Sequence, residues 1–168
     1  VLTNSLAATD VPAVHAGYSR YRRTLIDAGV EIYEMPPNSS PEESSKGRFG
    51  SSNSSLHAKT LVFDRQSVVV GSMNLDPRSS LLNTEMGILI ESREFAEEIA
   101  RWRNETLPTF AWRVALAADD SNPRKRRLAW TIEQNGERVV RYDKEPEASF
   151  WAEFQVFIAS LLPVENQL

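Results

Sequence analysis

The chain contains no cysteine, which excludes disulfides and thiolate metal sites. Histidine is nearly as scarce, with two in 168 residues, His15 and His57, so a histidine-rich metal centre is excluded as well. No apolar run approaches the ~20 residues of a membrane-spanning helix. Positive charge is not in excess either: 19 Lys and Arg stand against 23 Asp and Glu, a net charge of −4. A general nucleic-acid binder usually carries the opposite balance, so nucleic acid is not the expected partner. Within these limits the chain has the make-up of an ordinary globular protein, 41% hydrophobic and 25% charged. It opens at Val1, on what reads as the end of a strand, so it is expected to be the C-terminal piece of something longer.

What is there falls into alternating elements. Val1–Leu6 reads as a strand end. Asp10 ahead of Val11-Pro12 suits an N-cap with proline in the first turn, and Tyr18, Tyr21, Leu25 and Ala28 recur at helical spacing. Gly29 fits the position just past a helix. Val30–Met35 alternates as a strand, and strand, crossover helix and strand together predict a parallel unit. Residues 36–55, rich in Ser and Pro, predict a long mobile surface loop. Leu56–Phe63 and Ser67–Val70 read as strands joined at Asp64-Arg65-Gln66, and Thr84–Ser92 as a third. Helices are expected over Glu94–Arg103, Leu107–Ala118 and 148–162. Residues 119–143 read as a basic connection plus a β-hairpin turning at Asn135-Gly136, a pair that type I′ turns prefer. The expected fold is α/β, a mixed β-sheet flanked by helices on both faces, in a single domain over 1–168.

His57 has unusual company. Residues two apart in a strand share a face, so His57 and Lys59 are expected to project together. A cation beside an imidazole is a liability in a core, but it makes sense where an anion binds between them, and phosphate is the obvious candidate. Imidazole can act as a nucleophile or as proton donor to a leaving alkoxide. Downstream, Gly71 lets backbone come close, and Ser72 and Asn74 can donate hydrogen bonds to phosphoryl oxygens. Glu85, on the next strand, could accept from the far ring nitrogen and fix the tautomer.

His57-x-Lys59-x4-Asp64 followed by Gly71-Ser72-x-Asn74 resembles the HKD motif of the phospholipase D superfamily, six residue types at set spacing. TNSLAATDVPAVHAGYSRYRRTLIDAGVEIYE before it, NLDPRSSLLNTEMGILI after it and EPEASFWAEF near the end extend the resemblance over nearly the whole chain. They are similar to the C-terminal half of bacterial proteins of the cardiolipin synthase type. The resemblance implies one lobe of a two-lobed enzyme. It implies that His57 is catalytic, as phosphohistidine or general acid, that Lys59 and Asn74 bind the phosphate with Ser72 helping, and that Glu85 orients the histidine. Asp64 and Gly71 are the structural members of the motif. No metal or other cofactor is implied, since Lys59 and Asn74 would meet the charge on the equatorial oxygens. The implied substrate is a phospholipid, the reaction phosphatidyl transfer or phosphodiester exchange through a phosphohistidine. The implied setting is bacterial, at the inner membrane or its cytoplasmic face, by peripheral membrane contact.

Family active sites bring two such motifs to one phosphorus, and this chain carries one; His15 has Gly17, not lysine, at the matching place. The second motif is expected from a missing N-terminal half or from a second copy of the chain. A dimeric single-motif phosphodiesterase or nuclease, and an inactive isolated fragment, are the alternative readings. His15 itself is expected to be structural, with pocket lining as the alternative, which Thr3, Asn4 and Ser5 share. Arg78 is read evenly between a lipid head group and a carboxylate. Arg124-Lys125-Arg126-Arg127 is read as a solvated surface, with anionic lipid as the alternative. The apolar helix bearing Phe150, Trp151, Phe154, Phe157, Ile158 and Leu161 is expected to pack in the core or against the missing half, with membrane insertion as the alternative.

Overall fold

The computed structural model describes residues 1–9, 11–37, 57, 59–74, 76–119, 121–134 and 137–160. In chain order the elements are β1 (Leu2–Asn4), α1 (Pro12–Asp27), β2 (Ile32–Met35), β3 (Lys59–Phe63), β4 (Ser67–Gly71), α2 (Pro77–Leu81), β5 (Gly87–Glu91), α3 (Arg93–Glu105), α4 (Leu107–Phe110), β6 (Trp112–Asp119), β7 (Asn122–Gln134), β8 (Glu137–Tyr142) and α5 (Phe150–Ser160). The fold class is α/β, and the strands divide between a five-stranded sheet, β1-β2-β6-β7-β8, and a three-stranded sheet, β3-β4-β5. Each sheet belongs to its own compact unit, one drawn from residues 1–56 and 108–162, the other from 57–107.

The first unit opens on the expected parallel pair, β1 with β2, joined through α1. Pro12 starts the helix, where its missing N–H leaves no bond unmade. Val11 is the N-cap and makes no side-chain cap bond; Asp10, the expected cap, lies outside the described residues. The helix stops where Gly29 predicts. Gly29 sits at φ 86°, its N–H donates to Ile26 O, and Val30 N–H donates to Leu25 O, each at 3.0 Å. These are the two bonds of a Schellman stop, and the accompanying apolar pair, Leu25 and Val30, packs on the core. That core is Ile32, Trp112, Val114, Trp130 and Ile132. Each fully buried aliphatic side chain of this kind contributes roughly 1.5–3 kcal/mol.

The expected helix over Leu107–Ala118 is not formed beyond Phe110, and β6 takes its place. Four alanines favour helix. However, Trp112 and Val114 are buried while Arg113 between them is exposed, a period of two. β6 pairs antiparallel with β2 on one side and β7 on the other, and that pairing overrides local propensity. The expected basic connection is mostly strand for the same reason: Arg126 and Arg127 lie on β7, opposite Ala118 and Ala117. β8 completes the hairpin; Asn135-Gly136 lies outside the described residues, as does the Ser/Pro-rich loop from residue 38 to residue 55. α5 packs on α1. Its half-buried residues include Ala152, Val156 and Ala159, whereas Phe150, Trp151, Phe154, Phe157 and Ile158 are exposed. Core packing is therefore not what these aromatics do. Among the described residues, no helix is long and apolar enough to cross a membrane.

In the second unit, β3, β4 and β5 form an antiparallel meander. Its register runs from Lys59, Gly71 and Gly87 at one end to Phe63, Ser67 and Glu91 at the other. The expected turn closes through Gln66 N–H donating to Phe63 O at 2.9 Å. Asp64 and Arg65 both take positive φ, 51° and 55°, the type I′ geometry that matches strand twist. Aspartate visits this region more readily than most residues. α3 is capped by the Ser92 side chain, which accepts from Phe95 N–H, and it packs on β3 and β4.

Candidate active site

Three strand ends meet at one end of the three-stranded sheet. Lys59 opens β3, Gly71 closes β4 and Gly87 opens β5, and the register sets the three side by side. Ser72 follows Gly71, and Glu85 and Met86 precede Gly87. His57 is exposed and stands before β3 rather than within it, so strand alternation does not place it. Lys59 reaches back instead, its Nζ donating to the His57 carbonyl oxygen at 3.0 Å. Leu56 and Ala58 lie outside the described residues. Asn74 is exposed just past the end of β4. Asp64 sits at the other end of the sheet, in the β3–β4 turn.

Gly71 answers to backbone packing. A Cβ there would lie 2.4 Å from Met86 O and 2.9 Å from Gly87 Cα, well inside contact distance. The backbone that comes close is thus that of the neighbouring strand. A Cβ on Gly87 would meet nothing nearer than Val69 Cγ1 at 3.6 Å.

Ser72 is held from several sides. Its N–H donates to Met86 O at 2.9 Å, its hydroxyl donates to Glu85 Oε2 at 2.5 Å, and the same oxygen accepts from Met86 N–H at 3.0 Å. The single hydroxyl proton is committed to Glu85. The other carboxylate oxygen, Oε1, accepts from Asn83 Nδ2 at 3.3 Å. The bond from Ser72, aided by Ser79, Asn83 and the Lys59 ammonium, holds the Glu85 carboxyl below the ordinary carboxylate range. The structure therefore brings Lys59, Gly71, Ser72 and Glu85 together, with Asn83 as a partner that sequence reasoning missed. Its only signal was its place two residues ahead of Glu85 in a polar run.

A second charged cluster, buried in the first unit, has no counterpart in the sequence reading. Arg22 Nε lies 3.0 Å from Glu34 Oε1, an ion pair whose N–H is not aligned for a hydrogen bond. Glu34 accepts from Tyr18 OH and from Trp130 Nε1, both at 2.8 Å. Both Arg22 Nη atoms donate to Glu145 Oε1 at 3.0 Å, and His15 Nε2 is hydrogen-bonded to the same oxygen at 3.1 Å. The guanidinium stacks over the Tyr18 and Trp130 rings, at 4.9 and 5.3 Å from their centroids. Burial raises the Glu34 carboxyl despite Arg22. Burial also pushes on Glu145, but the bond from His15 and the charge of Arg22 outweigh it and hold that carboxyl low. His15 is therefore a structural histidine, buried among these charges.

Residues 1–107, which contain all of these strand ends, match the family described as cardiolipin synthase, PLD-like domain. The chain belongs to the cardiolipin synthase, PLD-like family. This PLD-like chain is 44% identical to cardiolipin synthase C of Escherichia coli over 169 residues, 98% of the chain and 34% of that protein. It is 34% identical over 151 residues to an uncharacterized protein of Helicobacter pylori, covering 90% of the chain and 28% of that protein. Cardiolipin synthase A of Pseudomonas aeruginosa is 30% identical over 132 residues, 79% of the chain and 22% of that protein. The PLD-like chain thus spans about a third or less of the length of these curated relatives. No solved structure matches it.

Proposed function

We propose that the chain supplies one of two HKD motifs to a phospholipase D-type phosphatidyltransferase, joining phosphatidylglycerol to a second phospholipid to make cardiolipin. The observation that carries this reading is the meeting of Lys59, Ser72 and Glu85 at one sheet end, beside an exposed His57. In the proposed reaction a histidine nitrogen forms a bond to phosphorus, the bond from phosphorus to the alcohol oxygen breaks, and the second histidine gives that oxygen its proton. The incoming hydroxyl then loses its proton to the second histidine, attacks phosphorus and releases the first. Lys59 and Asn74 stabilise the charge on the equatorial oxygens. Glu85, ionised through neutral pH, orients His57, and Ser72 acts mainly by holding Glu85. The second motif comes from a preceding half of the protein or from a second copy, and the enzyme meets its lipid at a bacterial membrane surface.

The test is His57→Ala in the natural protein that carries this chain, assayed for cardiolipin formed from phosphatidylglycerol. Turnover is expected to vanish while the melting temperature stays put, since the side chain is exposed. Retained turnover would overturn the role of His57, and loss of the fold would be seen directly in the melt. A mixing assay with labelled donor lipid should also trap acid-labile phosphate on the wild type.

A further inference from the structure

The exposed face of α5 carries no charge. Its exposed residues are Phe150, Trp151, Phe154, Gln155, Phe157 and Ile158, and its one acid, Glu153, is half-buried. Phe150 is 75% exposed, Trp151 69% and Phe157 58%, so these are whole side chains in solvent rather than edges. Trp151 makes edge-on contacts with Phe150 and Phe154, which joins the rings into one apolar surface on a helix already packed on α1 from its other side.

Basic residues flank the same stretch of α1. Arg20 donates to the carbonyl oxygen of Ser160, the last residue of α5. One turn further along, Arg23 donates to the backbone oxygen of Arg126 on β7 at 2.9 Å, and Arg126 pairs with Asp27 of α1 at 2.7 Å. Arg124 precedes Arg126 on β7, and both are exposed. Arg20, at the C-terminal end of α5, and Arg23, at Arg126, are thus one turn apart on α1, which links the two elements within one compact unit.

We infer that this face of α5, with Arg124 and Arg126, is the element by which the protein docks on an anionic phospholipid bilayer. The inference rests on the phospholipid substrate proposed above. Amphipathic Trp and apolar Phe settle at the boundary between head groups and acyl chains, and neighbouring cations add attraction to anionic lipid. The absence of acids on the exposed face removes the repulsion that such a surface would otherwise exert.

The natural protein is sedimented with vesicles of phosphatidylglycerol and phosphatidylcholine, and with phosphatidylcholine alone. Trp151→Ser with Phe157→Ser is expected to weaken binding to both by roughly tenfold or more, with an unchanged melting temperature. Arg124→Glu with Arg126→Glu is expected to weaken binding to the anionic vesicles only. Turnover of short-chain phosphatidylglycerol kept monomeric in solution should be unchanged in the aromatic variant. Vesicle binding that ignores the aromatic substitutions overturns the inference. So does an oligomer that those substitutions dissociate, or a melting temperature they lower, since either makes the face a protein contact. If the wild type fails to turn over monomeric lipid yet binds vesicles through this face, the proposed reaction fails and the docking surface stands.

Discussion

The Ser72 hydroxyl donates to the Glu85 carboxylate at 2.5 Å while accepting the Met86 N–H at 3.0 Å. One side chain therefore fixes the end of β4, the start of β5 and the carboxylate between them. A hydroxyl bond to an ionised acceptor at this distance is of the strong, charge-assisted kind. Ser72 influences the site through Glu85.

Ser72→Ala should accordingly shift the titration of Glu85 upward, toward the ordinary 4.5, because the largest influence holding it down is removed. Carbon NMR of the Glu85 carboxyl would read the shift. Turnover should fall roughly 10–100-fold, the loss expected when a hydrogen bond to a charged group is removed. An unmoved Glu85 titration would show that the contact does not govern this carboxyl.

Two glycines face each other across β4 and β5, and they should respond differently. Gly71→Ala places a methyl group 2.4 Å from Met86 O, and a backbone oxygen in a ladder has nowhere to go. Destabilisation by about 1–3 kcal/mol is expected. Gly87→Ala makes an ordinary contact with Val69 at 3.6 Å and should change stability by about 0.5 kcal/mol or less. Urea denaturation of the two variants side by side decides it; equal effects would mean the strand pair is not built as described.

The local stops and turns were legible in the sequence because they depend on near neighbours. Gly29 and Val30 end α1 through bonds to Ile26 and Leu25, three and five positions back from each donor, and Asp64-Arg65 turns a hairpin whose strands adjoin it in sequence. Residues 107–118 misled because their alanines speak for helix, whereas their fate is set by β2 and β7, which lie far away along the chain. The same distance hid the buried charges: nothing local ties Arg22 to Glu145, 123 positions on. At the site itself, His57 and Lys59 were expected to share a strand face. The strand begins only at Lys59, and the tie between them runs from the Lys59 ammonium to the His57 backbone oxygen.

Arg22 balances two carboxylates in a buried setting, so its loss should be costly. Arg22→Ala leaves Glu34 fully buried beside Tyr18 and Trp130 with no counter-charge, for which about 3–5 kcal/mol of destabilisation is expected. Arg22→Lys keeps the charge but loses the planar fork and the stacking over two rings, and should fall between. Equilibrium denaturation checks both. A loss below about 1 kcal/mol for the alanine variant would mean that the cluster is not closed to water.

The pH dependence of stability should carry the mark of Glu145. Its carboxyl titrates below the ordinary 4.5 in the folded protein, chiefly because the His15 bond and the Arg22 charge overcome burial. As pH falls below 4.5, the unfolded chain takes up this proton before the folded one does, which favours unfolding. The contribution of Glu145 is therefore complete above that value and is lost as pH falls through the folded one. Glu34 works in the opposite sense and in a separate window: its folded value is raised, so its contribution is complete below 4.5 and is lost as pH rises through the raised value. Comparing the wild type with Glu145→Gln below pH 4.5 isolates the first effect. The stability gap between them should narrow steadily as the solution is acidified, read as melting temperature against pH. A gap that stays constant across that range would show that Glu145 is not held ionised by His15 and Arg22.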